Sequence, residues 1–153
     1  VHGMSQRGGS VSTQVHWGEK VYSPVIGPGA ADILLAFEKM EAVRYAEFLK
    51  PGGVAVINDY ELPPSTVAAG LCGDPAGCLE AMEAHFRCVT LDAAAEAAKL
   101  GDAKCMNVVL FGAMAEALKL DHIDWEAAIA KAVPEKYLAL NLAACRAGRA
   151  AVK

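Results

Sequence analysis

No stretch of this chain reaches 18 apolar residues without a charge, and its first residues lack the charged segment followed by an apolar run that marks a secreted protein. Transmembrane and secretory readings therefore fail, which leaves a cytoplasmic protein. Lys and Arg number 14 against 18 Asp and Glu and nowhere form a block, so with a net charge of −4 neither nucleic acid nor an anionic membrane is a suitable partner. The five cysteines, Cys72, Cys78, Cys88, Cys105 and Cys145, are an odd number without Cys-x-x-Cys spacing. Clusters and zinc sites use close pairs on turns, and the closest pair here, Cys72 and Cys78, stands alone, so reduced and unpaired thiols are expected. There is no nucleophile elbow, no His-x-x-x-His spacing and no glycine loop ending in Lys-Ser or Lys-Thr.

What is present is apolar and rich in small residues. Hydrophobic residues make up 54% of the 153, but aromatics only 7%, and much of the rest is alanine, which suits closely packed helices better than a large aromatic core. One domain of this length buries on the order of 70% of the surface its unfolded chain exposes.

The apolar period changes along the chain. Residues 11–17 and 20–26 alternate as short strands joined by Gly18-Glu19, which suits a tight hairpin turn. Residues 33–37 form a continuous apolar run typical of a strand buried on both faces, and residues 38–49 read as an amphipathic helix stopped by Pro51-Gly52-Gly53. Residues 54–57 are a second buried strand, completing a strand–helix–parallel strand unit. Asp74-Pro75 opens a helix reaching about Ala84, residues 87–91 fit a strand, and Asp92 caps the next helix. Helices are predicted over 93–99, 104–118, 124–132 and 134–147, broken at Gly101 and at Asp121-His122. The fold class is α/β, an open mixed sheet in a three-layer α/β/α arrangement with a helical C-terminal third. Ligands of such sheets sit beyond the carboxyl ends of the strands, which directs attention to Phe37-Glu38 and Asn58-Asp59-Tyr60.

Candidate residues are few. Gly3-Met4-Ser5-Gln6-Arg7-Gly8-Gly9 frees the backbone for close approach and places an amide and a permanent cation beside it, the composition of a recognition loop. His2 adjoins that loop, whereas His16, His85 and His122 are dispersed and read as surface or packed residues. Glu38 and Glu41 begin a helix, where carboxylates favour the dipole. Asp32 is expected to anchor its neighbouring loop through backbone hydrogen bonds. Asn107 and Asn141 lie in apolar helical stretches and need partners, in the core or across a subunit contact, and Gly112 allows close approach nearby.

The segment Val1-His2-Gly3-Met4-Ser5-Gln6-Arg7-Gly8-Gly9-Ser10-Val11 resembles the γ-type domain of the 2-oxoacid:ferredoxin oxidoreductases, its wording being most similar to the indolepyruvate-type members. Tyr22-Ser23-Pro24-Val25-Ile26, Ala31-Asp32-Ile33-Leu34-Leu35-Ala36-Phe37-Glu38, Leu49-Lys50-Pro51-Gly52-Gly53, Asn107-Val108-Val109-Leu110-Phe111-Gly112-Ala113 and Val133-Pro134-Glu135-Lys136-Tyr137 agree in order, so the resemblance runs over nearly the whole chain. Family members begin with a β-strand and a Gly-x-Gly-Gly-Gln-Gly turn opening a helix, which this sequence does not show. The expectation is a single γ-type domain over residues 1–153 lacking that glycine-rich βα unit of ~30–40 residues.

The resemblance implies a complex that oxidatively decarboxylates a 2-oxoacid, indolepyruvate or another arylpyruvate, on thiamine diphosphate and Mg, passes electrons through iron–sulfur clusters to ferredoxin, and releases an acyl-CoA. Thiamine and clusters belong to a companion subunit, so this chain binds none of them alone and has no catalytic residue or metal ligand of its own. Ser5, Gln6, Arg7, Gly8, Gly9 and Ser10 are the residues expected to meet a cofactor, the CoA phosphates. Alternatives are a structural assembly subunit and an independent nucleotide-binding α/β module. Uncovered apolar surface further predicts a homodimer when the chain is isolated.

Overall fold

A computed structural model of the chain describes residues 11–61 and 77–152. Strand β2 (Leu49–Asn58) lies between β1 (Ala31–Ala36) and β3 (Arg87–Leu91), and both pairings are parallel. Side chains alternate along a strand, so β2 feeds two cores at once. Val54 and Val56 face one way, and Ala55 and Ile57 the other.

Helices cover both faces. On the Ala55/Ile57 side lie α1 (Lys39–Arg44) and α2 (Cys78–Glu83), contributing Ala42 and Met82. On the Val54/Val56 side lie α3 (Ala93–Lys99), α4 (Met106–Ala117) and α6 (Glu135–Ala151), contributing Ala97, Val109, Leu110, Ala113 and Ala144. A sheet buried on both faces reads as continuous apolar sequence, which is why the 33–37 and 54–57 runs are legible as strands. The short helix α5 (Trp125–Ala132) packs on α6. This is the three-layer α/β arrangement with a helical C-terminal third.

Local signals fix several boundaries. Asp92 Oδ1 accepts from the Ala95 amide at 2.8 Å and caps its helix as the sequence predicts, and Asp124 Oδ1 does the same for the Ala127 amide at 2.9 Å. Gly101 takes φ +93° after α3, where the chain must reverse.

Three expectations need correction. Residues 11–17 and 20–26 form no strands, so the described sheet is parallel throughout and not mixed. The chain does bend at residues 18–19 and fold back, but through side chains: Ile26 N–H donates to Gln14 Oε1 at 2.7 Å, and His16 Nδ1 pairs with the Ser23 carbonyl at 2.9 Å. Pro24 offers no donor, the Val25 amide is spent on Ser23 Oγ, and Tyr22 is 84% exposed, so no covered face supports a ladder.

The helix predicted over 38–49 ends at Arg44. A 3₁₀ turn (Ala46–Phe48) follows, and the Glu47 carbonyl accepts from the Gly29 amide at 2.8 Å. Pro51-Gly52-Gly53 does not terminate that helix but lies within β2. Leu49 pairs with Ala31 while Val54 pairs with Ile33, so the residues between loop out, with Gly52 at φ +78°.

Candidate functional site

Asn58 closes β2 and is completely buried. Its Nδ2 donates to the Phe37 carbonyl at 3.1 Å, and its Oδ1 accepts from the Ala93 amide at 3.0 Å. Met106 Sδ lies 3.6 Å from the same Nδ2. One amide therefore ties the end of β1, the end of β2 and the first turn of α3, and holds the carboxyl edge of the sheet in one geometry. The second of these hydrogen bonds satisfies the amide of a fully buried residue, Ala93.

Around that edge stands a charged rim. Glu38 caps α1, its Oε2 accepting from the Glu41 amide at 2.9 Å, while its Oε1 is buried without a hydrogen-bond partner. Lys39 Nζ lies 3.3 Å from Asp59 and 3.2 Å from Glu61, and its amide donates to the Tyr60 carbonyl. Hydrogen bonds to Glu61 and then Asp59 hold the Lys39 ammonium above its usual range. Cys78 stands near the same charges; burial, then Glu38 and Glu61, push its thiol up. A thiol so placed is a poor nucleophile at neutral pH. The rim is acidic with its lysine already neutralised, so it does not suit a phosphate.

A cavity of about 930 Å³ opens beside β1. Residues 33–36 of the strand and Phe37 just after it line the cavity. Tyr45 and Phe48 line it from the α1 side, Phe111, Met114, Ile123 and Trp125 from the C-terminal part of the chain, and residues 11–15 with Trp17 complete the lining. Trp125 stacks edge-on against Phe111 with ring centroids 5.2 Å apart.

The structure gathers some sequence candidates and separates others. Phe37-Glu38 and Asn58-Asp59-Tyr60 do meet at the strand ends. Ser5, Gln6, Arg7, Gly8, Gly9, Ser10 and His2 lie outside the described residues, as do Cys72 and Asp74-Pro75. His16, His85 and His122 are exposed. Asp32 pairs with the Lys50 side chain and not with loop amides. Asn107 is exposed, and Asn141 donates to Tyr137 of its own helix at 2.8 Å, so neither is a core amide. The amide that fills that role is Asn58. Its signal is a lone carboxamide ending an apolar run whose two faces are both covered.

Among the described residues Cys88, Cys105 and Cys145 are free thiols, and no three His, Cys, Asp or Glu residues lie together as metal ligands. Burial raises the thiols of Cys88, Cys105 and Cys145. No described helix is long and apolar enough to cross a membrane.

The fold has solved counterparts. The gamma subunit of a keto/oxoacid ferredoxin oxidoreductase from Geobacter sulfurreducens superposes with a TM-score of 0.60, covering 83% of this chain and 67% of its own, at 23% identity. Indolepyruvate oxidoreductase subunits IorB of Thermococcus kodakarensis and Pyrococcus horikoshii are each 36% identical over the whole of this chain, which spans 79% of their length. The sequence model of the pyruvate ferredoxin/flavodoxin oxidoreductases matches residues 1–151. With the parallel sheet, its two helical layers and this full-length match in agreement, the chain belongs to the pyruvate ferredoxin/flavodoxin oxidoreductase family.

Proposed function

We propose that this chain is the non-cluster subunit of a thiamine-dependent 2-oxoacid:ferredoxin oxidoreductase whose substrate is indolepyruvate or another arylpyruvate. The observation that carries the reading is the 36% identity, over the entire chain, to two subunits of indolepyruvate oxidoreductases. The net reaction takes a 2-oxoacid and CoA to an acyl-CoA and carbon dioxide, releasing one proton and two electrons, the latter to ferredoxin.

Among the described residues no three His, Cys, Asp or Glu side chains converge as ligands for thiamine's magnesium or an iron–sulfur cluster. Those groups belong, on this reading, to the companion subunit, and this chain alone is inactive. Its own part is to complete the wall of the active site and to admit CoA. Arg7 would supply a planar fork for a phosphate and the glycines beside it backbone amides for the same anion, with Ser5, Gln6 and Ser10 adding polar groups in the same stretch of sequence. The strand-end rim does not compete for CoA, because Lys39 is paired with Asp59 and Glu61. The exposed side chains of Val15, Trp17, Tyr22 and Val25 give the isolated chain a surface for self-association as a cytoplasmic homodimer.

Affinity isolation of the tagged chain from its native cytoplasm tests the assignment. It should bring down one major partner carrying iron and thiamine diphosphate. Isolation of the chain with no such partner, under anaerobic conditions and low salt, would remove the basis of the proposal.

A further inference from the structure

We draw no further inference here: the strongest candidate, the charged rim of Glu38, Lys39, Asp59 and Glu61 at the carboxyl ends of the strands with the buried and unpartnered Oε1 of Glu38, is a cluster of acidic residues around a paired lysine, and nothing in the structure shows what covers it.

Discussion

Gly112 of α4 meets the Cys145 carbonyl of α6 so closely that a Cβ on the glycine would lie 2.1 Å from that oxygen. One turn along, a Cβ on Gly148 would come within 1.8 Å of the Val109 carbonyl. The two helices therefore touch backbone to backbone, with Ala113 and Ala144 buried beside the contact. Small residues set this interaxial distance, and the alanine-rich composition is its wider signature.

Gly112→Ala should force the helices apart, since backbone cannot rotate away as a side chain can. A loss of about 3 kcal/mol is expected, the upper end for overpacking, with Gly148→Ala similar and the double variant less than additive because the first change already opens the seam. Gly18→Ala, where an added Cβ meets nothing within 4 Å, serves as the neutral control. Urea midpoints with unchanged slopes provide the measurement.

Asn58→Leu leaves the buried Ala93 amide without its partner and removes the hydrogen bond to the Phe37 carbonyl, and should cost on the order of 1–3 kcal/mol in the same assay. Asn58→Asp adds a pH signature. The new carboxylate could still accept from Ala93 but would face the Phe37 carbonyl, so burial would raise its folded pKa above the unfolded value of about 3.9. Its protonated form can donate to Phe37. The variant should therefore come closest to the parent below about pH 4 and lose ground as pH rises through the folded pKa. A pH-independent gap between the two proteins would contradict this.

Between α5 and α6, Glu126 takes two hydrogen bonds from Arg146, both 2.7 Å, and that guanidinium lowers the carboxyl's pKa. A depressed carboxylate stabilises the fold above its unfolded pKa and loses that contribution as pH falls through the lower folded value. The pair is exposed, so the effect on stability is small and screened by salt. The sharper readout is a carbon-detected titration of Glu126, whose midpoint should sit below the usual glutamate range and rise towards it in Arg146→Ala.

The sheet and most of the helices are legible because both faces of β1 and β2 are covered, which writes continuous apolar runs into the sequence, and because Asp92 announces its helix. The hairpin expected over 11–26 does not form because alternation is only half of a strand. The other half is a face to bury, and Val15, Trp17 and Tyr22 remain exposed. The helix after Glu38 stops short of its periodic signal: Ala46 and Leu49 keep the helical period, but the chain tightens into a 3₁₀ turn at Ala46–Phe48 and enters β2 at Leu49. At the strand ends, Glu38 and Asn58 stand where the sequence points, but neither the buried role of Asn58 nor the cavity beside β1 can be read locally. Both depend on residues dozens of positions apart.

Arg7 separates a ligand-binding role of its segment from a purely structural one. In the assembled complex, Arg7→Ala should raise the apparent KM for CoA or lower CoA-dependent turnover about tenfold, on the order of 1.4 kcal/mol, with Arg7→Lys in between because it keeps the charge and loses the fork. Assembly should be unchanged. Impaired association with normal CoA dependence would favour a structural assembly role.

The most direct test of the central claim is 2-oxoacid-dependent, CoA-dependent electron release measured on this chain, on its companion subunit and on the two together, across indolepyruvate, phenylpyruvate, pyruvate and 2-oxoglutarate. The account predicts no turnover by this chain alone, and turnover by the pair that is fastest with an arylpyruvate and passes to ferredoxin. Equal turnover by the companion with and without this chain, or none by the pair with any 2-oxoacid, would contradict it.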